Sequence, residues 1–288
     1  MREVTAIAAL RALLATERSA GRRIGLVPTM GSLHAGHLSL VDAARRESDT
    51  VVMSLFVNPL QFGPGEDFDR YPRDLERDRV LAAERGVDLL FAPTVDEIYG
   101  TGADLRLSGG EVAARWEGAV RPGHFDGVLT VVAKLFNIVG PDVVCFGQKD
   151  IQQATLIRRM IREFNFPIHL LLAPIVREAD GLAMSSRNVY LSPAERDAAL
   201  ALSRALRAAE ARWRSGESDA NALRQVVGQV LAAVPGVVAD YIAIVEPDAL
   251  APVPRVTRGT IVALAARVGR TRLIDNVICG DQHVTPVE

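Results

Sequence analysis

For about its first 174 residues the chain alternates short runs that are apolar throughout with helical patterns. That alternation leaves few folds open. Residues 24–27 form an apolar run ending in Pro28. Residues 50–57 (TVVMSLFV), 87–92, 142–147 (DVVCFG) and 168–173 read in the same way. Between them, residues 74–85, 127–139 and 150–165 carry helical periodicity, and an amphipathic helix interrupted by Arg11 covers 6–15. Strands apolar on both faces belong in a parallel sheet covered on both sides. The expectation is an α/β, doubly wound, Rossmann-like domain that binds ligands at the carboxyl ends of its strands.

After Pro174 the pattern changes. A polar loop over 177–188 leads to Ser192-Pro193, an N-cap and first-turn pair. A long charged helix to about Arg214 and a second over 218–233 follow. Three strand-like runs, 237–245, 260–268 and 271–279, come last. Two helices followed by consecutive strands predict a smaller α+β domain with an antiparallel sheet. The length, 288 residues, suits about two domains. The boundary is placed near residue 175, giving domains 1–175 and 176–288.

Composition narrows the function classes. Lysine and arginine number 33 against 35 acidic residues, a net charge of −2. The chain thus lacks the positive excess of a dedicated nucleic-acid binder. No run approaches the roughly 18 apolar residues of a membrane span. Cys145 and Cys279 stand alone in apolar runs and form neither a disulfide framework nor a zinc pattern, which fits a reducing cytoplasm.

The chemistry collects in loops after predicted strands. The first strand runs into Met30-Gly31-Ser32-Leu33-His34-Ala35-Gly36-His37, with a helix expected next that buries Leu38, Val41 and Ala44. The start of such a helix presents backbone N–H groups and a positive dipole end, suited to phosphate. Imidazole donors there would stabilise charge on a phosphate under attack. On residue types alone, a structural histidine pair and a pair of metal ligands stay open beside phosphate chemistry. A second cluster, Phe146-Gly147-Gln148-Lys149-Asp150, ends a buried strand. Lys149 there offers a point charge, Asp150 a helix cap, and Gln153 follows one turn on. A third, Asn58-Pro59-Leu60-Gln61, offers an amide for a hydroxyl or carboxylate. A fourth, Met184-Ser185-Ser186-Arg187 in the polar loop, reads as a phosphate clamp or as a solvated linker. Tyr71-Pro72-Arg73 and Arg121-Pro122-Gly123-His124-Phe125 read singly as turns or surface loops.

Together these segments resemble the pantothenate synthetase (pantoate–β-alanine ligase) family, within the wider H-x-G-H nucleotidyltransferase superfamily. The matching stretches are VPTMGSLHAGH at 27–37, FVNPLQFG at 56–63, YPR at 71–73, RPGHFDGVLTVV at 121–132, FGQKDIQQ at 146–153 and VREADGLAMSSRN at 176–188. H-x-G-H by itself indicates only the superfamily; the set is specific to the ligase. The resemblance implies ATP-driven condensation of (R)-pantoate with β-alanine through a pantoyl-adenylate, on a Rossmann-like domain with a C-terminal lid, in a cytoplasmic homodimer. It implies that residues 30–37, with His34 and His37 at the phosphates, bind ATP. Gly147, Gln148, Lys149, Asp150 and Val176 line that site, and Met184, Ser185, Ser186 and Arg187 close over it. His37, His34, Lys149 and Arg187 are the implied catalytic groups. Gln61 and Gln153 are the implied pantoate ligands. Magnesium accompanies the ATP phosphates, with Asp78 at most its neighbour. A nucleotidylyltransferase and a non-catalytic nucleotide-binding module are the alternatives, and neither nucleic acid nor membrane is an expected partner.

Overall fold

The computed structural model describes residues 1–102 and 104–281. These residues divide into two compact units. One holds Met1–Gly147 and Leu156–Ala173; the other holds Gln148–Thr155 and the described chain from Pro174 onward.

The first unit is built from β1 (Arg2–Val4), α1 (Ile7–Ser19), β2 (Ile24–Thr29), α2 (Ala35–Glu47), β3 (Thr50–Leu55), α3 (Leu75–Glu84) and β4 (Leu89–Phe91). Three short helices follow, α4 (Val95–Tyr99), α5 (Gly110–Ala113) and α6 (Glu117–Val120). Then come α7 (His124–Val139), β5 (Val143–Gly147), α8 (Ile151–Glu163) and β6 (His169–Ala173). The opening residues of α8, up to Thr155, belong to the second unit. All six strands run parallel in the order β1-β4-β3-β2-β5-β6. The chain moves outward from β2 to β3 and β4, then returns to the other side of β2 as β5. The switch point, where open parallel sheets bind ligands, therefore lies between the carboxyl ends of β2 and β5.

Both faces of the sheet are covered, which is why its strands read as unbroken apolar runs. Every residue of β3 is buried. Side chains alternate between faces along a strand. Val27, Val51, Met53, Leu90, Val143 and Cys145 share one apolar cluster with Val41 and Ala44 of α2. The intervening Leu26, Val52, Phe91 and Val144 are equally buried. They face the side where α7 meets β2 and α1 meets α7.

The second unit contains α9 (Pro193–Arg214), α10 (Ala220–Ala232) and the strands β7 (Val237–Val245), β8 (Ile261–Val268) and β9 (Thr271–Ile278). The strands are antiparallel in the order β7-β8-β9. Leu202 and Leu206 of α9 and Leu223 and Val227 of α10 join Ile244, Leu264 and Val277 in one core. A capping box starts α9. The Glu195 N–H donates to the Ser192 hydroxyl at 3.3 Å, the Ser192 N–H donates to the Glu195 carboxylate at 2.9 Å, and Pro193 follows the cap.

The expected α/β class, parallel sheet and smaller α+β unit are all present. Several details differ, among them three with a clear physical reason. Strand β1 has no counterpart among the expected strands, because three residues at a sheet edge carry no readable alternation. Helix α7 begins at His124 rather than 127, because Gly123 takes φ 80° as its N-cap. Leu38 is only partly buried; the covered face of α2 is Leu40, Val41, Ala43 and Ala44. Leu38 lies in the first turn, at the carboxyl end of the sheet, where less strand surface is available to cover it. No helix among the described residues is long and apolar enough to cross a membrane.

Candidate active site

The loop after β2 is held by hydrogen bonds to β3 and α3 as well as within itself. The Thr29 hydroxyl donates to the Ser54 carbonyl at 2.7 Å and accepts the Gly31 N–H at 3.3 Å. Gly31 has φ 83° and Ser32 φ 51°, so two successive residues are left-handed. A side chain at Gly31 would also stand 2.9 Å from the Asp78 carboxylate. Ser32 carries a steric penalty in this conformation. It is held there by Asp78, whose two oxygens accept the Ser32 and Leu33 N–H groups at 2.8 and 2.7 Å. Hydrogen bonds to a buried carboxylate are the strong kind. Leu33 is fully buried and anchors the loop to the sheet core.

His34 is the N-cap of α2, and its Nδ1 accepts the Gly36 N–H at 3.1 Å. The neutral ring therefore carries its proton on Nε2. The His37 ring lies against it, centroids 4.1 Å apart and planes 36° apart. Here one sequence expectation is narrowed. The sequence predicts a helix start that offers free backbone N–H groups to phosphate. Those of Gly31, Ser32, Leu33, Gly36 and His37 are engaged by Thr29, Asp78 and His34. The paired imidazoles of His34 and His37, at the positive end of the helix, add side-chain groups suited to meet an anion.

Gln61 joins the same loop. Its Nε2 donates to Met30 Sδ at 3.0 Å, and its Oε1 accepts from Asn58 Nδ2 at 3.1 Å. Asn58 also donates to the Gly127 carbonyl and accepts from the Tyr99 hydroxyl at 2.6 Å. Burial pushes that hydroxyl up to about 12, so it remains a donor. Behind Gln61 its carbonyl accepts from His124 Nδ1 at 2.8 Å and from Arg121 at 3.3 Å. Arg121 also contacts His124 Nε2 at 3.1 Å. A guanidinium only donates, so Nε2 accepts and Nδ1 carries the proton. Burial, then the Arg121 cation, hold His124 down to about 4, and the ring is neutral. Arg121 forks onto Glu66 at 2.8 and 2.6 Å. Burial raises that carboxyl, but the Arg121 hydrogen bonds and charge outweigh it, leaving Glu66 below its ordinary value.

The remaining candidates belong to the second unit, except Gly147, which ends β5. Gln148–Asp150 form a 3-10 turn running into α8. Lys149 is partly buried with its Nζ 3.9 Å from the Asp150 carboxylate, and Gln153 is partly buried in the first turn of the helix. Val176 and Met184 are paired, the Met184 N–H donating to the Val176 carbonyl at 3.0 Å. Ser185 caps the turn Ser186–Tyr190, accepting the Arg187 N–H at 3.3 Å. The structure thus brings Met30 to Gln61 in one unit and Val176 to Met184 in the other.

Sequence reasoning misses the residues that hold these loops. It offers Asp78 only as a neighbour of a metal ion; in the structure that residue organises the loop backbone. Arg177 forks onto Asp275 at 2.7 and 2.8 Å. Asn276 binds the 148–149 turn. No sequence signal points to Asp275 and Asn276, which lie inside an apolar strand far along the chain. Among the described residues no three His, Cys, Asp or Glu side chains group as metal ligands.

The chain matches the family model described as Pantoate-beta-alanine ligase over residues 2–278. It is 54% identical to the pantothenate synthetase of Moorella thermoacetica over 272 residues, 94% of this chain and 96% of that protein. It superposes on the crystal structure of pantothenate synthetase from Thermus thermophilus with TM-score 0.92 and 54% identity, covering 96% of this chain and 99% of the other. The pantoate-beta-alanine ligase of Francisella tularensis, complexed with Beta-gamma ATP and Beta-alanine, aligns with TM-score 0.79 and 33% identity over 96% and 97% of the two chains. A match of this extent, carried by a switch-point loop with the H-x-G-H histidines in contact, places the chain in the pantoate–β-alanine ligase family of enzymes.

Proposed function

We infer that this chain condenses (R)-pantoate with β-alanine at the expense of ATP, in two steps through a pantoyl-adenylate. The observation that carries the reading is the joined loop pair: the His34–His37 imidazole stack at the start of α2, linked through Met30 to the buried amide of Gln61. One part suits a phosphate and the other a hydroxy acid.

In the first step a pantoate carboxylate oxygen attacks the α-phosphorus of ATP. The new P–O bond forms as the bond to diphosphate breaks. Two anions must be brought together, so the catalytic groups are donors and cations. His34 presents Nε2–H and His37 lies against it; His37 is the family's proton donor to the phosphates. Lys149 and Arg187 add positive charge. Residues 30–37, Gly147, Gln148, Asp150 and Val176 bind the nucleotide, and the Met184–Ser185–Ser186–Arg187 segment closes over it, keeping water from the adenylate. Gln61 and Gln153 orient pantoate. In the second step the neutral amine of β-alanine attacks the acyl carbon, the C–O bond to AMP breaks, and the nitrogen gives up one proton to solvent as the amide forms.

Magnesium would accompany the ATP phosphates and offset their charge. Asp78 does not fit as its ligand, because both carboxylate oxygens are engaged and the residue is 2% exposed. We further propose a functional boundary near residue 175, a homodimer, and a cytoplasmic location, the last supported by two buried, unpaired cysteines.

The test is product formation by parent and His37→Ala proteins given ATP, pantoate and β-alanine. The parent should form AMP, diphosphate and the amide in equal amounts. His37→Ala should lose at least about 100-fold in turnover, the scale of one transition-state donor. Near-parental turnover in the variant would remove His37 from its role. A stable adenylated product with β-alanine unconsumed would replace the ligase by a nucleotidylyltransferase.

A further inference from the structure

Strand β9 carries two polar residues in an apolar run, Leu273-Ile274-Asp275-Asn276-Val277-Ile278. Asp275 is 3% exposed and Asn276 2%. A buried charge or amide is retained only where it is fully partnered. The partners here are two segments assigned above to the nucleotide site, and all of these contacts lie within the second unit.

Asn276 Nδ2 donates to the Gln148 carbonyl at 2.9 Å and to the Lys149 carbonyl at 3.0 Å. Its Oδ1 accepts from Gln148 Nε2 at 3.1 Å. The two carbonyls fix the orientation of the amide, since only its nitrogen donates to them. One side chain thus grips three atoms of two successive residues. Asp275 accepts both arms of the Arg177 fork and the Asn276 backbone N–H at 2.8 Å. Arg177 in turn donates to the Gly181 carbonyl at 3.2 Å, and the Arg177–Ala183 bridge closes the hairpin that leads to Met184. Neighbouring residues of one sheet strand therefore hold both the Lys149 turn and the 176–184 hairpin.

We propose that Asn276 is a positioning residue for adenylate formation. It fixes the backbone of Lys149, so that the ammonium is already in place when ATP and pantoate bind, while Asp275 fixes the 176–184 segment through Arg177. The proposal rests on the reading of Lys149 as a phosphate-facing cation. Side chains that act through supporting groups are precise only when that support is rigid.

Asn276→Asp keeps the shape, removes both donors, and sets a carboxylate against two carbonyls. The parent, Asn276→Asp, Lys149→Ala and the double variant form a cycle. The expected result for Asn276→Asp is a kcat at least tenfold lower, with KM for pantoate changed less than twofold. The double variant should turn over no more slowly than Lys149→Ala, because Asn276 acts through that side chain. Hydrogen exchange of ligand-free Asn276→Asp should quicken over residues 148–153 and stay parental over β7. If Asn276→Asp does not fold, Asn276→Gln, which displaces the amide by one methylene, takes its place with the same expectation. Losses that multiply in the double variant, or parental kcat in a folded Asn276 variant, overturn the proposal. An inactive parent, or a fully active Lys149→Ala, would instead overturn the functional reading on which it rests.

Discussion

His124 shows how one neutral ring supports a candidate site residue, Gln61. Its protonated Nδ1 supports the Gln61 carbonyl and its bare Nε2 faces Arg121. The cost appears at low pH. The folded pKa, about 4, is below the ordinary 6.5, so the unfolded chain binds more protons between those values. Stability supplied by the neutral ring is complete above about pH 6.5 and is lost as pH falls towards 4. The loss is on the order of 3 kcal/mol for a shift of this size. Around the ring, Arg121 opposes protonation while Glu66 and Glu117 favour it. Thermal melts from pH 7.5 to 4.5 should show Tm falling less in His124→Asn than in the parent; parallel curves would contradict the assignment. Residue identity is legible where neighbours in sequence make the site. His34 and His37, three residues apart, announce themselves. Asp78 and Asn276 do not, because their partners are 45 to 46 and 127 to 128 residues away. Each looks like an ordinary helix or strand residue until the fold brings its partners to it.

Between elements, the tightest approach near Gln61 is made by α7. A side chain at Gly127 would stand 2.2 Å from the Leu60 carbonyl oxygen, so the helix backs directly onto the turn Pro59–Gln61. Gly127→Ala must push that turn away. Overpacking of this kind costs about 1–3 kcal/mol, and the displaced amide should raise KM for pantoate at least about tenfold, a loss near 1.4 kcal/mol. KM for ATP should move less. Steady-state kinetics check this, and an unchanged KM for pantoate would mean that the turn does not set the position of Gln61. The elements themselves are mostly readable. Short, β-branched apolar runs such as TVVMSL in β3 read as strands buried on both faces, and Ser192-Pro193 with Glu195 marks the start of α9. The short helices α4, α5 and α6 are not, since one turn of helix carries no period. The backbone of the loop after β2 is only partly legible, because Thr29 and His34 are local acceptors but Asp78, which takes the Ser32 and Leu33 N–H groups, is supplied by tertiary structure.

At the scale of the whole molecule, the candidate residues fall in two compact units. The parallel sheet supplies the histidine pair and Gln61. The α+β unit supplies Lys149, Arg187 and the strand that holds their segments. The central claim is that diphosphate leaves before the amine acts. Diphosphate release from Mg-ATP and pantoate alone, followed by addition of β-alanine, tests it directly. The two-step mechanism predicts a burst near one equivalent per site that becomes continuous turnover when β-alanine arrives. Absence of any release until β-alanine is present, in folded protein that binds ATP, would contradict it.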